Sequence, residues 1–312
     1  MKVNNGPKNI IHTHLEKSNQ WISGESLSEI LGISRVAVWK HLQSMKEGGY
    51  PLESGKKGYR ITPGEDSLHP WAMGDLAPRI HYLQSTESTM KEAHDLAFHN
   101  AAHNTVVVAE TQSSSQALSS HNWHSPTGGL YFTLILRPDL PLHQAGIFSF
   151  TASLAVVKLM SQMGLEGVCG WPNEVITAEG KLAGILAQVS GTPDKIDFLN
   201  LGVGIHVNSQ ESPKQDCKTA YLSDLGGHRY KRRDILIKFL TIFDELLHKD
   251  ALDQWIDSFK AGRDSIALTD KGGFKKTKGH IVHPDGAMTL MIEDIDSRIY
   301  PGEKIYFSSP WE

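Results

Sequence analysis

Cysteine is nearly absent from this chain: 312 residues hold two, Cys169 and Cys217. One disulfide is the most they allow. Neither stands in a metal-ligand or redox spacing, so they are assigned no chemistry. Long apolar runs are missing as well. None approaches the roughly 20 residues that a membrane helix needs, and the opening MKVNNGPKNI lacks the apolar stretch of a secretion signal. The cytoplasm is the expected location, with no membrane partner. Low-complexity composition is also lacking: with 39% hydrophobic and 21% charged residues, nothing argues for disorder along the length.

What is present is more than one core's worth of chain, since domains run to roughly 100–200 residues. The net charge of -4 is unevenly spread. Residues 1–64 hold nine Lys and Arg against five Glu, a net of +4, so the remaining 248 residues carry -8. A basic head on an acidic body implies that the head faces nucleic acid.

The head carries a pattern that fits this. An amphipathic stretch, Ile10 to Leu15, is followed by Leu27, Ile30 and Leu31 at helical spacing behind Ser23-Gly24-Glu25-Ser26. Gly32 ends that helix. Ser34 is an N-cap candidate for the next, in which Val38, Leu42 and Met45 share a face. Two helices joined by Gly-Ile-Ser make a helix-turn-helix, and Tyr50 to Ile61 reads as two short strands around a basic Gly-flanked turn, a wing. In that arrangement the second helix enters the major groove and the wing meets phosphate. Ser34, Arg35, Trp39 and Lys40 are the helix candidates for DNA binding, and Lys56, Lys57 and Arg60 the wing candidates. A small helical module used for packing or dimerisation is the alternative.

Residues 65–78, with Pro70 and Pro78, read as a linker. A body follows at 79–265. Strands are expected at Thr105–Ala109, Leu130–Leu136, Leu182–Val189 and Phe198–Val207, alternating with helices at Thr89–Ala97, Ala145–Met163 and Arg232–Leu247. Short strands and Gly turns in residues 266–312 predict a small β-barrel. The fold class is α+β.

Several strings in this order resemble the biotin protein ligase and biotin operon repressor family over essentially the full length. Ser-Arg-x-Ala-Val-Trp-Lys-His at Ser34–His41 and Gly-Tyr-Arg-Ile at Gly58–Ile61 are similar to its DNA-binding head. Ser88-Thr89, the run from Trp123 to Phe132, Trp171-Pro172-Asn173, Lys181 to Leu186 and Gly202 to Asn208 are similar to its ligase domain. The resemblance implies a winged helix-turn-helix, a central mixed-sheet domain of the class II synthetase-like kind and a small SH3-like barrel. It implies ligand-binding roles for Ser88, Thr89, Gln112, Gly128, Gly129, Trp171, Asn173, Lys181 and Gly184, with Lys181 the catalytic candidate. It also implies a homodimer on a DNA operator.

Making an acyl adenylate brings a carboxylate onto the α-phosphorus of ATP, so cations must offset the repulsion and Gly-rich backbone must approach the phosphates. In the family that loop reads Gly-Arg-Gly-Arg-x-Gly-Arg. Here Ser115-Gln116-Ala117-Leu118-Ser119-Ser120-His121 stands in its place, so every Gly and Arg of it is gone. Two further departures fall nearby: the family's Lys-Trp-Pro-Asn-Asp is Gly170-Trp171-Pro172-Asn173-Glu174, and its Asn after Ser-Thr is Met90. His121 and His124 flank Trp123 in a His-x-x-His spacing too weak to assign a metal. Lys275-Lys276-Thr277-Lys278 reads as a solvated hairpin.

Three readings follow. The first is a DNA-binding regulator that senses biotin or a related small carboxylic acid, with adenylation and ligation impaired. The second is an active ligase and repressor, which would use ATP, magnesium and a biotin carboxyl carrier protein. The third is a DNA-binding interaction protein with a vestigial pocket.

Overall fold

The computed structural model describes residues 6–63, 66–114, 123–208, 218–247, 251–259, 266–270, 273–276, 279–283, 285, 287–292, 295–300 and 305–307. In the head, helices α1 (Pro7–Ser18), α2 (Gly24–Leu31) and α3 (Arg35–Glu47) precede strands β1 (Leu52–Gly55) and β2 (Gly58–Ile61). Side chains start two of the helices: Ser23 Oγ accepts from Ser26 N at 3.0 Å, and Ser34 Oγ from Ala37 N at 3.2 Å. Gly32, at φ 64°, ends α2 in the left-handed conformation that a residue with a Cβ resists. The expected apolar face closes the core, with Val38, Leu42 and Met45 packed on Ile11, Leu15, Leu27, Tyr50 and Leu52. The wing joins the turn before α2 through paired hydrogen bonds between Ile22 and Tyr59, both 2.9 Å. Gly58 permits that approach, because a Cβ there would lie 2.1 Å from the Ile22 carbonyl oxygen.

The connecting segment is packed rather than exposed. Leu68, His69, Ala72 and Met73 are buried, and short 3-10 turns occupy Pro70–Ala72 and Gly74–Arg79. His69 sets its ring against Trp71 and Tyr82, with centroids 4.4 and 3.9 Å away, while its Nε2 meets the Gly48 carbonyl of the head at 2.7 Å.

The body comprises β3 (Ile80–Thr86), α4 (Thr89–Phe98), β4 (Thr105–Gln112), β5 (Leu130–Leu136), α5 (Gly146–Gln162), β6 (Val168–Gly170), β7 (Glu174–Thr177), β8 (Gly180–Thr192), β9 (Lys195–Ile205), α6 (Leu222–Gly226), α7 (Arg232–Leu247) and α8 (Ala251–Ser258). Its seven strands run in the order β3-β4-β5-β9-β8-β7-β6. β3 and β4 are parallel, joined through α4, and the other pairs are antiparallel. Alternation sorts the two faces. Leu130, Phe132, Leu134 and Leu136 of β5 and Leu199, Leu201, Val203 and Ile205 of β9 enter the main core with α5 and α7. Ile135 and Phe198 instead meet Ala93 and Ala97 of α4. Along β9 that second face continues through Asn200, Gly202 and Gly204.

One helical stretch among the described residues, Leu142–Gln162, is long and apolar enough by length and composition alone to cross a membrane, although His143, Gln144 and Lys158 interrupt its apolar sequence. Within this stretch α5 buries Phe148, Phe150 to Val156, Leu159 and Met160, so its all-round apolarity belongs to a core helix. Strands β3, β6 and β7 and helices α6 and α8 have no counterpart among the elements expected from the sequence. At the C-terminal end, β10 (Ile266–Asp270), β11 (Gly273–Lys276), β12 (Gly279–Val282), β13 (Met288–Ile292), β14 (Ile295–Ile299) and β15 (Ile305–Phe307) form two three-stranded antiparallel sheets, ordered β11-β10-β15 and β12-β13-β14, consistent with a small SH3-like domain. Cys217 lies outside the described residues; Cys169 is buried, which raises its thiol pKa to about 11.

The start of α7 fastens head, connector and body together. Arg232 is buried; it donates to Asp66 at 2.8 and 3.1 Å and to Glu110 of β4. Arg233, next to it, reaches back to Glu16 of α1 at 2.8 Å and to His12 at 3.2 Å. Removing one member of a buried ion group leaves the others charged and unpaired, at about 3–5 kcal/mol. Arg232→Met is therefore expected to lower unfolding free energy by that amount in urea denaturation. A loss below about 1 kcal/mol, the range of exposed pairs, would remove this group from its structural role.

Candidate functional site

Glycine shapes the floor of the candidate pocket. Gly184 of β8 pairs with Gly204 of β9, and Leu186 with Gly202, leaving a flat shelf on the α4 side of the sheet. Two side chains lie directly on it. A Cβ at Gly184 or at Gly204 would come within 2.7 Å of the Trp123 ring, and one at Gly202 would come within 3.2 Å of Met90 Cε. Trp123 is in turn stacked on His206, with centroids 4.7 Å apart and planes at 16°, and Lys181 Nζ stands 5.4 Å from its centroid.

Beside the shelf, the start of α4 and the end of β4 build a polar wall. Because β3 and β4 are parallel, Thr86 pairs with Gln112, and the chain turns from β3 into α4 next to the Gln112 side chain. Ser88 caps α4 by accepting from Met90 N at 3.2 Å. Gln112 Oε1 accepts from Thr89 N at 2.8 Å and from Thr89 Oγ1 at 3.0 Å, and its Nε2 donates to Ser125 Oγ at 3.0 Å. Thr133 of β5 extends the chain by donating to Thr89 Oγ1 at 3.0 Å. Gly128, at φ 97°, and Gly129 make the turn into β5. A Cβ on Gly129 would fall 2.0 Å from Tyr131 Oη, so only glycine passes there.

Lys181 Nζ is held by Glu174 Oε1 at 2.6 Å, both side chains partly buried. The cation left after loss of the Arg-bearing loop is thus matched by the carboxylate next to Trp171-Pro172-Asn173. Trp171 itself packs in the main core. Asn173 exchanges bonds with β8, accepting from Ile185 N at 2.8 Å through its carbonyl and donating from Nδ2 to the Ile185 carbonyl. Gly184 is thus part of the shelf and Ser88, Thr89, Gln112 and Lys181 border it, while Gly128 and Gly129 make the turn into β5 and Trp171 and Asn173 lie at the β7–β8 corner. Ser115, Gln116, Leu118 and His121 of the altered loop lie outside the described residues.

The sequence reading missed Ser125, Thr133, Asn200 and His206 as site residues. Thr133 had a signal, being the one polar residue in LYFTLIL. His206 is buried, which lowers its pKa to about 4, with Lys181 and His124 adding repulsion of the charged form. Among the described residues, His206 Nδ1, His124 Nε2 and both amide atoms of Asn200 are buried without a hydrogen-bond partner. Asn200 stands on the shelf side of β9 and is wholly buried. An unmet polar group of this kind costs about 1–3 kcal/mol. Asn200→Leu is expected to raise unfolding free energy by up to that amount, and a loss of stability would show that the carboxamide is satisfied.

On the head, Arg35, Val36, Trp39 and Lys40 are exposed along α3, and Lys56 and Lys57 at the wing turn. Ser34 is engaged as a cap. Arg60 is tied within the wing, 2.7 Å from Glu53 and 4.7 Å from the Trp21 ring centroid, so its charge is already matched.

Burial lowers the pKa of His69, like that of His206, to about 4. Both are neutral in the fold near pH 6, while the unfolded chain takes up protons from about pH 6.5 downward. The unfolded state then binds more protons, so stability falls as pH drops from about 6.5 towards 4. Thermal midpoints across that window are expected to decline. The decline should be shallower in His69→Gln and His206→Gln; an unchanged slope in both would refute the assignment.

These features define a class: a winged helix-turn-helix ahead of an acyl-ligase type of mixed sheet. Residues 8–60 match a family described as an HTH domain, and residues 82–208 the biotin/lipoate A/B protein ligase family. The bifunctional ligase/repressor BirA of Bacillus subtilis is 32% identical over 84% of this chain and 84% of its own length. That of Escherichia coli is 27% identical over 93% and 94%. The solved biotin protein ligase of Aquifex aeolicus, in complex with biotin and ATP, shares the fold, with a TM-score of 0.59, 24% identity and coverage of 74% of this chain and 99% of that one. The chain belongs to the biotin protein ligase and biotin operon repressor family.

Proposed function

We propose that this chain is a DNA-binding regulator whose ligase-type pocket senses biotin or a related small carboxylic acid, with adenylation and ligation impaired. The observation that carries this reading is the Lys181–Glu174 pair at 2.6 Å. With no Gly or Arg in residues 115–121, Lys181 is the remaining cation at the shelf among the described residues, and Glu174 has matched its charge. Arg232 offers no substitute, since Asp66 and Glu110 hold it. These residues do not fit the charge that develops when a carboxylate attacks the α-phosphorus of ATP. They fit a small ligand better: the Thr89, Gln112 and Ser125 wall for a polar head, and the Trp123 and Met90 side chains over the glycine shelf for an apolar body.

The second reading, an active ligase and repressor, is favoured by relatives that carry both activities in their names over most of their length. In that case ATP, magnesium and a biotin carboxyl carrier protein are substrates and partner. In the third, the pocket is vestigial. In all three the partner of the head is a DNA operator, and the working form is a cytoplasmic homodimer.

A ligand that binds only the native state raises its stability. Biotin alone is expected to raise the thermal midpoint, magnesium ATP to add nothing further, and a carrier domain to remain unmodified. A large added shift with ATP and labelling of the carrier would establish the ligase; no shift in any mixture would leave a changed ligand or the vestigial reading.

A further inference from the structure

Helix α3 is apolar on two sides. Val38, Leu42 and Met45 enter the head's core at 0–1% exposure, while Val36 and Trp39 stand outward at 64% and 52%. Single exposed apolar side chains are ordinary. These two are three residues apart, adjacent on one helical face, and flanked by the exposed cations Arg35 and Lys40. Val36 lies in the first turn and Trp39 in the second, the part of the second helix that approaches base edges in a helix-turn-helix. The Ser34 cap fixes where that turn begins.

An apolar pair set between cations matches a surface that is anionic around its rim and locally apolar within. The major groove of DNA is such a surface: its phosphates are charged, and the C5-methyl group of thymine is the one apolar group its base pairs present. We propose that Val36 and Trp39 read thymine methyl groups, so that part of the operator's sequence is recognised by apolar contact rather than by hydrogen bonds. Arg35, Lys40, Lys56 and Lys57 then supply phosphate attraction without sequence information. The inference rests on the DNA-binding reading above and adds what the outward face of α3 recognises.

Replacing thymine by uracil removes that methyl group and leaves the hydrogen-bonding pattern intact. Duplexes are to be selected from a random library by the full-length chain, with biotin present, and remade with deoxyuridine at each thymine in turn. Burial of one methyl group corresponds to about fourfold in affinity. The expected result is a loss near that size at one or more positions, and a larger loss when all are replaced. Val36→Ala and Trp39→Ala should each erase part of the thymine/uracil ratio. Lys40→Ala should weaken both duplexes equally and flatten the salt dependence. Equal binding of thymine and uracil duplexes by the unaltered chain would overturn the inference alone. Failure to enrich any sequence, with no salt-dependent binding, would overturn the DNA-binding reading as well. A Trp39→Ala chain that changes sedimentation but keeps the thymine/uracil ratio would assign this face to a second copy of the chain, and that too would overturn it.

Discussion

One guanidinium group sets how the parts of this molecule meet. Arg232, at the start of α7, is shared between Asp66 of the connector and Glu110 of β4, and it lies 3.5 Å from the Gly129 carbonyl. Taking three charges out of water is costly unless each is matched, so the group tolerates little displacement of any member. Its neighbour Arg233 meets Glu16 and His12, and His12 in turn meets Tyr50 at 2.6 Å. Two successive residues of one helix thus hold the connector, the sheet and the DNA-binding head. Glu110 is also two residues from Gln112, whose amide organises the polar wall of the pocket. The joint and the pocket are therefore built on the same short strand.

The pocket follows from what the sheet omits. Glycines at 184 and 204 let Trp123 lie against backbone, where a Cβ would meet its ring at 2.7 Å, and Gly202 lets Met90 approach the same face. On the polar side, Thr89, Gln112 and Ser125 satisfy one another, so the wall is ordered before any ligand arrives and little entropy remains to be lost on binding. On the charged side, Lys181 and Glu174 form a closed pair. Among the described residues, the cation at the shelf is already matched by a carboxylate. The chemistry of the pocket and the composition of residues 115–121 point the same way.

Much of the architecture was legible in the sequence because local signals agreed with tertiary need. LYFTLIL appears as the strand Leu130–Leu136, and Arg232–Leu247 is the helix that its periodicity indicated. Ser23 and Ser34 announced two helix starts, and Gly32 a helix end. Less legible were β6 and β7, three and four residues long, whose pairing depends on a partner far along the chain. The same holds for β3, IHYLQST, whose burial pattern is mixed because it lies at the sheet edge. The connector offered prolines and polar residues, the marks of a linker, yet Leu68 and His69 are buried. Trp171 and Asn173 belong to strings that resemble a ligand site; in the fold Trp171 packs in the main core and Asn173 bonds Ile185 of β8, contacts that no local spacing announces.

The sequence by itself determined the basic head, the two-helix pattern with its wing, the strands of the sheet's centre, and the loss of glycine and arginine from the loop before Trp123. Each is a property of neighbouring residues: spacing, capping, alternation and composition. Only the tertiary structure decided that Glu174 reaches Lys181, that Trp123 covers Gly184 and Gly204, that Arg60 is tied within the wing, and that Arg232 joins residues 66 and 110. Those facts depend on which side chains meet after the sheet has closed. Contacts between residues distant in the chain leave no periodicity for a sequence to display, and they exist only once packing has excluded water around them.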